Sequence, residues 1–113
     1  MRLVRILIGQ RLIAACAAIT LSSLSLADTE MGEDLYLNTE FSRVMNGEPR
    51  DDVTCSDCHD PGFYTRADRK ANNYERLHFW VNSCNDMLGA GWFPDEVKAV
   101  TDYLNREYYQ YLE

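Results

Sequence analysis

Cys55-Ser56-Asp57-Cys58-His59 is the stretch on which the rest of the chain is organised. Two thiols three residues apart, with a histidine directly after the second, form the C-x-x-C-H pattern of c-type haem attachment. The chemistry asks for this spacing. The two thiols add to the two vinyl groups on one edge of haem, and the imidazole that follows lies under the ring and ligates iron. Cys55 and Cys58 are therefore expected to hold one haem c per chain covalently, with His59 as the fifth iron ligand. Two rival readings use the same residues. A dithiol redox pair wants a βαβ setting, and the flanking sequence offers none. A zinc site would draw on Cys55, Cys58, Cys84 and a histidine, but the interval to Cys84 is long and lacks a second paired spacing.

Working outward, residues 48–72 are rich in charge, carry Pro49 and Pro61, and show neither helical nor strand period, so they read as a long irregular loop. Before them, Asp28 to Gly47 reads as a helix. Asp28 or Thr29 caps it, and Glu30, Glu33 and Asp34 suit its positive end. Leu35, Phe41, Val44 and Met45 form its apolar stripe, and Asn46-Gly47 followed by Pro49 stops it. After the loop, Asn73 to Leu88 reads as a second helix with Leu77, Val81, Cys84 and Leu88 on one stripe, widened by Trp80 and Met87. Gly89 and Gly91 end it. Pro94 opens a third helix beside Asp95 and Glu96. There Val97, Val100, Leu104, Tyr108 and Tyr111 recur at three and four, while Tyr109 faces outward. No alternating segment is long enough for a strand. The expected fold class is all-α, three helices wrapped around one covalent haem.

The chain has 113 residues, enough for one small domain. Arg2, Arg5 and Arg11 precede an apolar stretch, Leu12 to Leu26, and Ser25-Leu26-Ala27 forms a small-residue cleavage site. This is the layout of a secretory signal peptide over residues 1–27, which puts the mature domain, 28–113, in a bacterial periplasm with no membrane span after cleavage. Ile13-Ala14-Ala15-Cys16 offers a rival lipidation site, though Gln10 and Arg11 leave little apolar sequence before it. Three of the 11 basic residues and none of the 18 acidic ones fall in the leader, so 28–113 carries eight against 18, a net charge of −10 compared with −7 overall. Such a chain repels nucleic acid. The same charge steers it toward a redox partner with a basic docking face.

The mature region resembles class I cytochromes c, most closely the small branch that holds the oxygen-binding SHP-type cytochromes and cytochrome c″. The matching pieces are Gly32 to Thr39, the Cys55–His59 motif, and Cys84-Asn85-Asp86-Met87-Leu88-Gly89-Ala90, followed by Pro94 and a final helix with Tyr103-Leu104. The resemblance implies a cytochrome c fold with His59 as the proximal ligand. Two departures stand out. In that branch the second iron ligand is a His or Asn immediately before the Cys-Asn pair, and here that position is Ser83. The branch also joins this cysteine to another eight residues on, and here that place is Trp92. The loop after the haem motif is shorter as well. The family's sixth ligand and disulfide therefore do not carry over.

If Ser83 faces the haem as the resemblance implies, Met87 lies one turn away and is the leading candidate for sixth ligand. As an ordinary side chain it would fill a gap beside Trp80. His78 falls with Asn82 and Asn85 on the polar face, and Met31 and Met45 belong to the first helix. Trp80, Trp92, Phe63, Phe79 and Phe93 are candidate walls of the haem pocket. With no acid–base pair or nucleophile arrangement in view, the chain is not read as an enzyme. The expected function is periplasmic electron transfer. The alternative is a haem protein that binds a small gas at an open or weakly ligated iron.

Overall fold

The computed structural model describes residues 22–113, with side chains from Asp28 onward. Its elements run α1 (Ser22–Asn38), β1 (Phe41–Met45), β2 (Glu48–Val53), α2 (Cys55–Cys58), α3 (Pro61–Thr65), α4 (Tyr74–Leu88) and α5 (Pro94–Leu104), then a π-helical turn, Asn105–Tyr109. Five α-helices and a two-stranded antiparallel sheet make the chain mixed, which corrects the expectation of an all-α fold of three helices. Most of the expected leader, with Cys16, lies outside the described residues. Among the described residues no helix is long and apolar enough to cross a membrane.

The correction turns on Asn46-Gly47. Both residues are left-handed, with φ of 53° and 84°. Two successive left-handed residues build the tight turn whose twist matches a β-hairpin, so the pair joins two strands where a helix end was expected. α1 stops at Asn38, and the strands pair Arg43 with Arg50, Val44 with Pro49 and Met45 with Glu48. At the base of the ribbon Phe41 lies opposite Val53, and both are buried. The rest of β2, Glu-Pro-Arg-Asp-Asp, is exposed and has no apolar face to show as a period.

The sequence marks of α4 and α5 hold. Asn73 caps α4 by accepting from the Arg76 N–H at 2.8 Å, and Gly89 closes it at φ 65°. Pro94 opens α5, and the Phe93 N–H donates to the Glu96 carboxylate at 2.8 Å. The core joins these helices to α1 and to the last turn through Tyr36, Leu77, Val81, Val97, Val100 and Leu104. α1 crosses α5 at Gly32, where a Cβ would lie 2.1 Å from the Ala99 carbonyl oxygen.

After Leu104 the wider π turn rotates the side chains, because i and i+5 rather than i and i+4 now share a face. Tyr109 is consequently buried at 8 % exposure, against the expectation that it faces outward. Asn85 is also buried, at 8 %, and not on the polar face with His78. Its amide nitrogen donates to the Trp92 carbonyl at 3.1 Å, and the Trp92 N–H donates to its oxygen at 2.9 Å. This two-way clamp fastens the turn after α4. Asn85→Ala strands two backbone groups and is expected to cost about 2 kcal/mol, read as a fall in thermal midpoint. An unchanged midpoint would remove the clamp from the account.

Candidate haem site

A cavity of about 820 Å³ opens among the hairpin, the segment from Thr54 to Ala71, α4 and α5. That is within the roughly 300–1,000 Å³ of small-molecule and cofactor sites. Cys55, Cys58, His59 and Met87, the four residues singled out as attachment points or ligands, all line it.

The motif is placed by two short capped helices. The Thr54 N–H donates to the Asp57 carboxylate at 2.7 Å, and the His59 N–H donates to the Cys55 carbonyl at 3.0 Å. One helical turn therefore sets Cys55 and Cys58 on one side, where an irregular loop was expected. Asp60 then caps α3, accepting from the Phe63 N–H at 3.0 Å. His59 sits between the two helices with its ring 4.3 Å from the ring of Phe63 and 5.8 Å from that of Tyr64. Behind it the hydroxyls of Tyr36 and Tyr64 are 2.7 Å apart, and the Tyr36 hydroxyl donates to the His59 carbonyl at 3.4 Å.

His59 Nδ1 is buried and has no hydrogen-bond partner, the only such side-chain atom among the described residues. A buried polar atom left unpaired costs free energy, which a water or other partner at Nδ1 relieves, and iron in haem would take the ring's other nitrogen, Nε2. Burial also lowers the imidazole's pKa, favouring the neutral form that binds metals. Burial pushes the Cys55 thiol up to about 11, with Cys84 and Cys58 adding to the effect, and raises that of Cys84. The free thiols, the neutral imidazole and the largely apolar wall fit haem. The alternative of zinc fits less well, since among the described residues no three His, Cys, Asp or Glu side chains gather to hold a metal ion. Iron in haem asks for only one or two protein ligands.

No protein-family model, curated protein or solved structure matches the chain.

Of the expected walls, Phe63, Trp80 and Trp92 line the cavity, while Phe79 and the 70 % exposed Phe93 do not. Phe79 packs edge-on against Trp80, and Phe93 caps α5. Met45 lines the cavity from β1 instead of sitting in a helix. His78 and Asn82 stay outside it. Ser83 and Cys84 line it, and the Ser83 hydroxyl donates to the Phe79 carbonyl at 2.8 Å. Met87 is 72 % exposed, which puts it at the mouth. Sequence periodicity missed the tyrosines behind His59, because Tyr64 falls in the segment without period and Tyr109 in the π turn.

Those tyrosines predict an alkaline limit. Burial pushes the Tyr36 phenol up to about 12, and burial first, then the bond to Tyr36, raises Tyr64. A folded pKa above the unfolded value of about 10 gives stability that is complete below pH 10 and lost as pH rises from there through the folded pKa, about 12 for Tyr36. Tyrosinate absorbance and loss of helical circular dichroism are expected to arrive together above pH 10. Full ionisation near pH 10 with the helices intact would contradict this packing.

Proposed function

We propose that the chain is an exported mono-haem c-type cytochrome that transfers electrons in the periplasm. The observation that carries the proposal is the meeting of Cys55, Cys58 and His59 in one cavity. Bound haem supplies one-electron chemistry. The chain's own residues do the rest. Cys55 and Cys58 tether, and His59 binds the iron, held from behind by Phe63, Tyr64 and Tyr36. Val81, Leu77 and Val100 exclude water. The acidic balance of the chain steers association with a basic partner.

The second reading, a small-gas binding protein with an open iron, has its own support. The Ser83 hydroxyl is committed to the Phe79 carbonyl, and Met87 is mostly in solvent. The test is to express the full chain in a bacterium equipped to attach haem, weigh the exported protein, and record its ferrous spectrum before and after carbon monoxide. One covalent haem is expected. A sharp spectrum that carbon monoxide leaves unchanged supports electron transfer, and a ready shift supports gas binding. Absence of covalent haem overturns both.

A further inference from the structure

The cations of this acidic chain are unevenly placed. Four of the eight in residues 28–113 line the cavity: Arg43, Arg66, Arg69 and Lys70. Of the 18 acidic residues only Asp68 joins them. These cations are also left largely unneutralised. Of the four away from the cavity, Arg50, Lys98 and Arg106 each reach a carboxylate at 2.6–3.0 Å, and Arg76 lies near the Phe79 ring at 5.9 Å. Among the described residues Arg43, Arg69 and Lys70 pair with no carboxylate, and Arg66 reaches Asp68 only at 4.0 Å. Their other partners are neutral. Arg43 donates to the Met87 carbonyl at 3.1 Å, and Arg69 to the Tyr111 hydroxyl at 2.8 Å. Arg66 lies over the Phe63 ring at 4.6 Å, and Lys70 near the Trp80 ring at 5.9 Å.

A chain with carboxylates to spare that leaves cations unpaired at one apolar cavity is arranged for an anionic ligand. We infer that Arg66, Arg69 and Lys70, with Arg43 on the facing hairpin, form a carboxylate-binding rim that takes the two propionates of haem. The inference rests on the haem reading above. It adds what selects the orientation. The thiols of Cys55 and Cys58 claim the vinyl edge, and the cations claim the edge that carries the carboxylates. Arg69 is the fixed member, because Tyr111 is itself anchored by its donation to the Ala71 carbonyl at 2.9 Å.

The test uses the haem-loaded protein and reads its reduction potential against pH, where ionisation of a propionate appears as a step. Arg66→Gln/Lys70→Gln removes two exposed cations and spares the Arg69–Tyr111 contact. The step is expected to move up by about one pH unit at low ionic strength, a tenfold loss in propionate acidity, and by less at high salt, since both cations are exposed. Lys70→Arg is expected to keep the native step. Arg76→Gln/Arg106→Gln removes the same charge outside the cavity and is expected to leave the step in place. A step unmoved by Arg66→Gln/Lys70→Gln, or moved equally by the outer pair, overturns the rim and leaves the haem reading standing. A protein that emerges without covalent haem fails at the mass measurement, before any potential is read, and takes both down.

Discussion

Cys55→Ser/Cys58→Ser, expressed as the full chain in a haem-attaching host, is expected to carry no covalent haem, against the one per chain expected of the native protein. Both thiols sit on the single turn of α2 and line the same cavity, so each is presented to the group that enters. Either single replacement is expected to retain haem through one thioether, with the ferrous band displaced. His59→Ala leaves both thiols and removes the imidazole, so its expected product is a chain that still gains mass but has lost its strong proximal ligand. The rival dithiol reading makes the opposite forecast. There, native and variant protein alike would be colourless, and only the native chain would show a reducible disulfide. Mass and spectrum together decide between them.

The second large effect lies far from the cavity. Gly32→Ala is expected to lower the thermal midpoint by about 10 °C or more. The added Cβ would lie 2.1 Å from the Ala99 carbonyl oxygen and 3.1 Å from the Tyr103 Cβ. Backbone cannot yield as a flexible side chain does, so α1 and α5 must separate. Overpacking of this kind costs about 1–3 kcal/mol, occasionally more. Alanine returns about 1 kcal/mol of helix propensity over glycine. A contact with backbone belongs at the upper end of that range, so the net is about 2 kcal/mol, and each kcal/mol moves the midpoint of a domain this size by about 4–8 °C. Glu33→Ala, exposed on the next position of the same helix, is expected to change stability by under about 0.5 kcal/mol. Equal midpoints for the two variants would sink the close crossing.

The grouping of Cys55, Cys58 and His59 at one cavity is legible because the signal is close spacing along the chain, which survives whatever the backbone does around it. α4 and α5 were legible because Asn73, Gly89 and Pro94 are stop and start marks with a local cause. The hairpin was not, and the reason is physical. Asn-Gly serves both a helix end and a two-residue strand turn, since each needs left-handed residues. The strands beside it gave no alternation to tip the balance, because a ribbon solvated on both faces has none. Tyr109 was misplaced for a different reason. A continued period of 3.6 puts Tyr108 inward and Tyr109 outward after Leu104, and the π turn buries Tyr109 while Tyr108 stays half-buried, stacked on Tyr64 at 5.0 Å. Asn85 follows His78 and Asn82 at spacings of four and three, which reads as one polar face, yet its amide satisfies the Trp92 backbone in the interior. The unequal sharing of cations between cavity and outer surface is a property of the folded chain and has no counterpart in linear order.

The crossing of α1 on α5 also sets a schedule. Gly32 and Ala99 are 67 positions apart, so that contact closes one of the longest loops in the domain. Contacts of large sequence separation form slowly, and a chain is made from its N-terminus onward. Cys55, Cys58 and His59 therefore exist before Val100 and Leu104, which supply part of the wall around them. The thiols pass through an interval in which they are open from the side that α5 later covers. On the haem reading proposed above, the bond would form in that interval, and folding would close over it.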